Sequence, residues 1–402
     1  TGGSMGDVGR VDAHALVADA HGLVTVGHHD LGGRGDGMQV LREGDVLYVG
    51  HHGPSGAGTS ILDASDPTDL RLVVQWPAPA GSHTHKVQVA DGLLLVNCEQ
   101  FRGGHPYRAG MAVYDLADPF HPRQIGWFDS GGRGVHRIVW TGGRYAYVSV
   151  IPDGFDDRIF VVVDMSDPSH PVEAGRWWWP GQWVAGGERP TWPDGRRYAC
   201  HHGLLDGHLA YVGYGDAGLV VLDLADPAHP RHVADLQWSP GGDTHTCLPL
   251  PSRRLLVVTD EAVTDRCAGE EHLVRVVDVA DPTAPRVVSV CPPPVGDFCE
   301  RGLRFGPHNL HENRPGSYRS ERLVFVTYFN AGLRVYDLAD PAHPVEVAHW
   351  IPATPDGQEA VQINDVFVAE DLHVYVTDRV RGGVYVLRPD GTLAARMREA
   401  AQ

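Results

Sequence analysis

Short runs of Val, Leu, Ile and Tyr alternate with turns rich in Gly and Asp along the 402 residues of the chain. Typical runs read HKVQVADGLLLVNCE and HLAYVGYGDAGLVVLD, where β-branched and aromatic residues dominate and Gly or Asp separates two strand-like halves. Such runs are typical of antiparallel strands joined by tight turns. The sequence therefore predicts an all-β fold built from many short strands.

One phrase, hydrophobic-Asp-x-x-Asp-Pro, follows most pairs of strand-like runs. Its copies stand at 63–67, 115–119, 164–168, 223–227, 278–282 and 337–341. Pro presets the backbone for a tight turn, and Asp accepts hydrogen bonds from turn amides, so each copy predicts a sharp turn between two strands. An alternating run follows each copy and often ends in Trp. The repeating unit is predicted to be a four-stranded antiparallel meander, and these aspartates are predicted to be structural.

A seventh unit at the end of the chain lacks its last strand. Residues 364–391 supply three strands, and residues 21–31 resemble the missing fourth, so we predict that the N-terminal strand closes the ring. Seven such blades around a channel form a β-propeller. We expect one propeller domain over 1–402, with a tag remnant at 1–4, an aromatic insertion at 176–197 and a polar hairpin loop at 314–321.

The phrases GLVVLDLADPAHPRHV and GLRVYDLADPAHPVEV resemble the LVIVD repeats of bacterial β-propellers, and this resemblance covers nearly the whole chain. It implies the propeller fold. It implies little about activity, because propellers serve both as binding scaffolds and as enzymes.

Charge and composition narrow the choice of partners. The formal net charge of -18 makes nucleic acid an unfavourable partner. No apolar run is long enough to span a bilayer, and the absence of a leader pattern predicts a cytoplasmic protein. No CxxC pair occurs, which disfavours a structural zinc site. Cys98, Cys200 and Cys247 are expected to be buried thiols, whereas one disulfide can form among Cys267, Cys291 and Cys299.

Histidines recur at one structural position. Alignment of the first strand of each unit superimposes Met38, His85, His136, His201, His245, His308 and the pair Asn364-Asp365. Five imidazoles are thus predicted to face the channel, where they could bind iron, copper or zinc. Their sequence neighbours differ from unit to unit, which argues against a purely structural repeat. His83 and His202 lie beside them, and His311 could take the place of His308.

Other histidines and several carboxylates need separate interpretations. The four histidines that follow the Asp-Pro turns, His121, His170, His229 and His343, are predicted to be structural. Glu99, Asp260 and Glu261 follow second strands at the same rim as the channel histidines. They are candidates to orient the metal ligands or to act as catalytic acid–base groups. A solvated acidic rim explains each of them equally well.

This arrangement resembles two families of histidine-rich propellers, the carotenoid cleavage oxygenases and the selenium-binding proteins, which include methanethiol oxidases. The first resemblance implies an axial non-heme iron held by four histidines with glutamates behind them. Both resemblances rest on architecture, because no linear motif of either family occurs in this chain.

The sequence as a whole favours an enzyme with a mononuclear His-ligated centre, Fe(II) first and copper next, that uses O2 to oxidise or cleave a small organic substrate. Four of the five histidines would bind the metal and the fifth would act on protons or substrate. The Trp-rich insertion favours an apolar or aromatic substrate, although an oligomer contact or a plug fits it as well. Zinc-dependent hydrolysis or elimination and a non-catalytic interaction scaffold remain alternatives. No nucleotide-binding motif is present.

Overall fold

The computed structural model describes residues 16–101 and 107–402, so the tag remnant expected at 1–4 lies outside the described residues. The predicted all-β class is confirmed. Within the described residues, helix comprises α1 (Phe298–Arg301), α2 (Gly391–Ala400) and short 3-10 turns. No helix in the described part of the chain is long and apolar enough to cross a membrane.

The described residues form 29 strands, which follow one another in antiparallel meanders. The first strands are β1 (Val17–His21), β2 (Leu23–His29), β3 (Gly37–Glu43), β4 (Val46–His51), β5 (Ala57–Asp63) and β6 (Arg71–Pro77). They are followed by β7 (Ser82–His83), β8 (Val87–Ala90), β9 (Leu93–Gln100), β10 (Gly110–Asp115) and β11 (Arg123–Asp129). Next come β12 (Gly134–Val139), β13 (Tyr145–Ile151), β14 (Ile159–Asp164) and β15 (Val172–Trp177).

The second half of the chain continues in the same way. Its first two meanders are β16 (Tyr198–Asp206), β17 (Leu209–Gly215), β18 (Leu219–Asp223), β19 (Arg231–Leu236), β20 (Thr244–Leu250), β21 (Leu255–Asp260), β22 (Val274–Asp278) and β23 (Arg286–Val290). The last strands are β24 (Leu323–Thr327), β25 (Leu333–Asp337), β26 (Val345–Pro352), β27 (Ile363–Val368), β28 (Val374–Asp378) and β29 (Gly383–Pro389).

Neighbouring meanders are joined in part into larger sheets. Strands β3 to β6 form a four-stranded sheet, whereas β7 to β15 form one sheet through the β9–β12 pair and β16 to β23 form another through the β17–β20 pair. The two N-terminal strands pair with strands from the C-terminal part of the chain: β1 pairs with β26, and β2 pairs with β29. The pairing of β1 was not foreseen, because its sequence VADAH is mostly exposed and has no apolar alternation.

Burial explains the apolar pattern. Every residue of β4 and of β21 is buried, and these central strands are nearly continuous Val and Leu. Outer strands such as β6 alternate between exposed and partly buried residues. The core lies in layers between adjacent meanders, where Val148 and Val161 of one meander pack in the same cluster as Leu95 and Met111 of the next.

The Asp-Pro turns owe their sharpness to side-chain hydrogen bonds. Asp63 Oδ1 accepts from Ser65 N at 2.9 Å, and Asp66 Oδ1 accepts from Thr68 N at 2.9 Å. Arg71, eight residues after Asp63, donates to its other carboxylate oxygen at 2.6 Å. The same first contact recurs at Asp115, Asp164, Asp223, Asp278 and Asp337. These bonds close each turn at the outer surface of the sheet.

Hydrogen bonds that cross from one meander to the next tie the start of each of these first strands to the first or second strand of a neighbouring meander. The bonds are Asn364 Nδ2 to Met38 O (2.6 Å), Val87 N to Gln39 Oε1 (2.9 Å), Asn97 Nδ2 to Val135 O (2.8 Å) and Thr259 Oγ1 to His308 O (2.7 Å). They hold the residues at these positions close together in space, which is the condition for a shared site.

Residues 314–321 differ from the polar hairpin loop expected from their composition. Arg314 is buried and donates hydrogen bonds to Gln88 Oε1 at 2.8 Å and to Val89 O at 2.7 Å. Tyr318 is buried as well, and its hydroxyl donates to Met397 O. The loop is thus only partly exposed to solvent: Pro315, Gly316 and Arg319 are exposed, whereas its other polar side chains are largely buried.

The cysteines follow the prediction. Cys267 and Cys299 form a disulfide across 32 residues. Cys98, Cys200, Cys247 and Cys291 are buried free thiols.

Candidate metal centre

The five predicted channel histidines lie side by side and form what we call the histidine belt: His85, His136, His201, His245 and His308. Successive ring centroids are 5.1, 5.0, 3.5 and 4.4 Å apart in that order. Four of the rings are buried, and the side chain of His136 is 19% exposed. The repeat has therefore brought together residues that are up to 223 positions apart in sequence.

His308, rather than His311, occupies the position next to His245. Both ring nitrogens of His311 are used elsewhere: Nε2 donates to Tyr318 O at 2.7 Å, and Nδ1 accepts from Val368 N at 3.2 Å. His311 thus has a structural role in the buried 314–321 segment.

Four belt imidazoles are held through Nδ1. His136 Nδ1 donates to Glu99 Oε2 at 2.8 Å, and His308 Nδ1 donates to Asn364 O at 2.8 Å. His245 Nδ1 lies 2.8 Å from Thr246 Oγ1, and His201 Nδ1 lies 2.7 Å from His202 Nδ1. An imidazole whose Nδ1 carries the proton offers the Nε2 lone pair to a metal, and the Glu99 and Asn364 oxygens fix that tautomer in His136 and His308.

The Nε2 atoms of these four rings lack ordinary partners. His136 Nε2 and His201 Nε2 lie 3.3 Å apart, and His245 Nε2 is buried with no hydrogen-bond partner among the described residues. Ligands about 2.1 Å from one ion lie about 3.0 Å apart when cis in an octahedral site and about 3.4 Å apart in a tetrahedral one. The distance between His136 and His201 fits this range.

Glu261 lies beside the other end of the belt. Its carboxylate oxygens are 3.6 Å from His308 Nε2 and 4.0 Å from His245 Nε2. Three sets of ligand atoms lie within 4.8 Å of one another: His201, His202 and His245; His245, Glu261 and His308; and His83, His85 and Glu99. The first two sets share His245 and adjoin the His136–His201 pair.

The third set is less suited to a metal, because three of its four ring nitrogens have hydrogen-bond partners and the fourth carries a proton. His83 Nε2 donates to Glu99 Oε2 at 2.9 Å, and His83 Nδ1 faces His52 O at 3.1 Å. His85 Nδ1 accepts from Asn97 Nδ2 at 3.1 Å. The orientation of the Asn97 amide is fixed, because Lys86 N donates to Asn97 Oδ1. In the neutral ring, His85 Nε2 therefore bears the proton, and it has no partner in the described residues. Among the five histidines, His85 is the one that fits proton transfer or substrate contact.

Burial keeps the belt neutral. Desolvation lowers the pKa of His136 to about 4, with a further contribution from the charge of Arg158, and it lowers the pKa of His308 to about 3. The pKa values of His85, His201 and His245 are also far below the usual range for the same first reason. Neutral imidazoles are the form that binds metal ions at pH 7.

The three predicted carboxylates have different environments. Glu99 supports His136 and His83, and those contacts keep its pKa well below the usual range although burial alone would raise it. Burial alone would also raise the pKa of Glu261, but the charges of His308, Arg304 and Arg379 hold it at about 2. Asp260 is bound instead by the Arg275 guanidinium, Thr244 Oγ1 and Trp238 Nε1. No hydrogen bond from Asp260 reaches a belt histidine in the described structure.

Charged residues missed by the sequence analysis lie behind the belt. Arg137 Nη2 donates to Glu312 Oε1 at 2.6 Å, and His202 Nε2 is 3.7 Å from the same oxygen. Lys86 and Asp365 are buried nearby and influence each other's charge. Only their alternation with the belt residues along the first strands could have indicated them.

The two ends of the first strands have different surroundings. At the end that carries the belt, the side chains of His136, Glu261 and Arg304 are 19%, 18% and 27% exposed, which gives access to the belt. At the other ends of the first strands, a cavity of about 490 Å³ is lined by residues that include Trp140, Leu248 and Arg319 but no belt histidine.

The Trp-rich insertion is held against the β16–β19 meander. Trp179 packs against Tyr198 at 5.0 Å between ring centroids, and the buried Gln182 Nε2 donates to Arg158 O and Tyr198 O. Trp178 and Trp183 pack on Phe155. These tryptophans mainly contact one another and other aromatic side chains.

Comparison with known proteins agrees with the repeat analysis. The model of the LVIVD repeat family matches residues 134–177, 204–235 and 320–350, so the chain contains LVIVD repeats. No curated protein sequence matches the chain significantly.

Solved structures agree at the level of the fold. The computationally designed Ika8 protein is similar at 9% identity with a TM-score of 0.51, over 90% of this chain and 98% of that one. The periplasmic gluconolactonase PpgL of Pseudomonas aeruginosa is similar at 14% identity with a TM-score of 0.54, over 84% of this chain and 93% of that one. The fold of curled antiparallel sheets is thus propeller-like.

Proposed function

We propose that the protein is a metal-dependent enzyme whose centre is a single ion held in the histidine belt, with His136, His201, His245 and His308 as the candidate ligands. The observation that supports this most directly is the pattern of the ring nitrogens. In each of these four rings Nδ1 has a protein contact, whereas His201 Nε2 faces only another imidazole nitrogen and His245 Nε2 has no hydrogen-bond partner in the described residues. Buried polar atoms without partners are costly, and an ion would remove that cost.

The fold fits such a centre. We propose a seven-bladed propeller in which β2 supplies the outer strand of the last blade and the belt lies at one end of the central channel. Support comes from the pairing of β2 with β29 and from the hydrogen bonds that tie first strands to their neighbours. A rigid ring of strands would hold four ligands from four meanders in fixed positions.

Fe(II) is the proposed metal, with copper next, and the proposed reaction is O2-dependent oxidation or oxidative cleavage of a small organic substrate. A four-imidazole ion leaves coordination positions open for O2 and substrate, and the metal would supply the redox chemistry. Within the chain, Glu99 would fix the tautomer of His136. His85 Nε2 would donate a hydrogen bond to an oxygen of the substrate and so orient it.

Zinc is the second candidate, and one observation favours it. Glu261 lies 3.6 Å and 4.0 Å from the Nε2 atoms of His308 and His245, where a carboxylate could act as the base for hydrolysis or elimination. Such an enzyme would be active without oxygen.

The disulfide between Cys267 and Cys299 bears on location. Disulfides persist mainly in oxidising compartments, so this bond favours an exported protein over the cytoplasmic one expected from the sequence.

Reconstitution distinguishes these possibilities. Chelator-treated protein would be loaded anaerobically with Fe(II), copper or zinc and screened for turnover of small organic substrates with and without O2. We expect O2 consumption with iron or copper, its loss in His245→Ala and its retention in His121→Ala, which changes an exposed turn histidine. Turnover that needs zinc but not O2 would replace oxidation by hydrolysis or elimination. Failure of all three metals to bind would leave a non-catalytic repeat scaffold.

A further inference from the structure

We propose that the substrate of the histidine belt is a small organic anion whose carboxylate is bound by Arg379, with Arg158 as a second anion-binding group. The chemical step rests on the function proposed above. The binding step does not, because guanidinium groups bind carboxylates without a metal.

Two guanidinium groups share one carboxylate on the Glu261 side of the belt. Arg304 Nη1 donates to Glu261 Oε1 at 2.9 Å, whereas Arg379 Nη1 is 4.0 Å from that oxygen and makes no side-chain hydrogen bond in the described structure. Both guanidinium carbons lie over the ring of Phe329, at 5.7 and 5.8 Å from its centroid. The buried carboxylate of Asp378 also acts on the charge of Arg379, but no carboxylate in the described structure is hydrogen-bonded to that guanidinium.

A second guanidinium without a hydrogen-bonded carboxylate lies on the other side of the belt. Arg197 holds both carboxylate oxygens of Asp157, at 2.8 and 3.1 Å. Arg158 Nε is 4.0 Å from Asp157, is buried, and has no hydrogen-bond partner in the described residues. The side chain of Arg158 is only 10% exposed, so water offers little compensation.

Both open guanidinium groups are next to belt residues. Glu261, beside Arg379, is 3.6 Å from His308 Nε2. The backbone carbonyl of Arg158 accepts from Cys200 N at 2.9 Å, and the next residue is His201. An anion bound at either arginine would therefore lie close to the proposed ion.

The chemistry of guanidinium favours a carboxylate as the missing group. Its planar donors match two carboxylate oxygens, and charge-assisted bonds of this kind are about twice as strong as neutral ones. A buried charge without a partner opposes folding, so proteins retain such groups where a ligand completes them. The substrate is thus a carboxylate rather than the apolar or aromatic compound suggested by the Trp-rich insertion.

The test uses the full chain after removal of metal, so that coordination to an ion does not contribute. Acetate, malonate and succinate would be titrated by calorimetry at constant ionic strength, with malonamide as the neutral control and inorganic phosphate as the competing anion. The variants are Arg379→Gln, Arg158→Gln and Arg379→Lys. Arg144→Gln is the matched control, since Arg144 is exposed and already paired with Asp164 on an outer turn.

We expect at least one carboxylate to bind while malonamide does not. Loss of either open guanidinium should weaken binding by about 10-fold to 100-fold, as expected for a hydrogen-bonded charge, and Arg379→Lys should fall between. Arg144→Gln should bind like the wild type. Without anion, Arg379→Gln should unfold at the same temperature as the wild type or higher, because it removes a buried charge that lacks a hydrogen bond.

Three results would overturn the proposal: no carboxylate binding to the wild type, wild-type carboxylate affinity in Arg379→Gln and Arg158→Gln, or preference for phosphate over every carboxylate. A lower unfolding temperature in Arg379→Gln without any loss of anion binding would assign Arg379 to structure. Metal content is measured separately. A chain that binds carboxylates through Arg379 but holds no metal would contradict the proposed function and leave this inference intact.

Discussion

Replacement of Glu99 by Gln tests how the belt is held. Glu99 Oε2 accepts from both His136 Nδ1, at 2.8 Å, and His83 Nε2, at 2.9 Å, and the residue is 7% exposed. Gln keeps the size of the side chain but loses the charge. Its amide can accept from one imidazole, and its NH2 group then faces the other, so the tautomer of His136 is no longer fixed.

The expected loss of metal affinity depends on how many proposed metal ligands Glu99 orients. Removal of a partner that orients a metal-bound histidine usually costs 10-fold to 100-fold in metal affinity, about 1.4 to 2.7 kcal/mol. Glu99 orients one proposed ligand, His136, since both nitrogens of His83 are occupied. We therefore expect Glu99→Gln to weaken metal binding by about 10-fold to 30-fold, in the lower half of that range.

The assay is a competition titration of Fe(II) or Zn against a chelator of known affinity, at pH 7. Asp36→Asn is the matched control, because Asp36 is also a buried carboxylate that accepts from an imidazole, His51 Nδ1 at 2.8 Å, but lies outside the belt. Both variants should lose about 1 to 3 kcal/mol of stability to urea. Equal metal affinity in wild type and Glu99→Gln, or equal losses in the two variants, would refute the proposed role of Glu99.

Three further predictions concern stability. In metal-free protein, burial holds the pKa of His311 at about 4, whereas an unfolded histidine titrates near 6.5, so stability is highest above pH 6.5 and falls towards pH 4 by about 1.4 kcal/mol per unit for each such histidine. The free energy of unfolding in urea, measured at several pH values, should depend less steeply on pH in His311→Gln than in the wild type. An unchanged pH dependence would contradict the role given to His311. Reduction of the bond between Cys267 and Cys299, which closes a loop of 32 residues, should cost about 3 to 4 kcal/mol, and identical urea midpoints with and without reductant would argue against it. Arg314→Met should cost about 3 kcal/mol because it removes the charged donor to the buried oxygens of Gln88 and Val89, and Gln88 Oε1 then keeps only the long bond from Trp140 N; a loss below about 1 kcal/mol would mean that the 314–321 segment adds little stability.

The repeat explains how far the sequence could predict the site. Copies of one unit occupy equivalent places in space, so alignment of the first strands was enough to identify His85, His136, His201, His245 and His308 as neighbours. The Asp-Pro turns were predictable for the same reason, because their hydrogen bonds are local.

Contacts between distant, non-repeated residues could not be predicted in this way. Asp260 and Glu261 were equivalent candidates in the sequence analysis. They could not be distinguished because Arg275, the partner of Asp260, lies fifteen residues further on and pairs with it only across adjacent strands. No motif marks Arg158 or Arg379 either. Each is of interest because its nearest carboxylate, Asp157 or Glu261, is already hydrogen-bonded to another arginine. The buried loop at 314–321 was misjudged because its polar side chains meet backbone acceptors of other meanders.

Metal content tests the central claim most directly. Tag-free protein purified without chelators would be measured by inductively coupled plasma mass spectrometry beside His136→Ala, His245→Ala and the turn variant His121→Ala. The account predicts about one iron or copper ion per chain in the wild type and in His121→Ala, and loss of the ion in the other two variants. Substoichiometric metal that neither belt substitution changes, and that loading with Fe(II), copper or zinc does not restore, would contradict it.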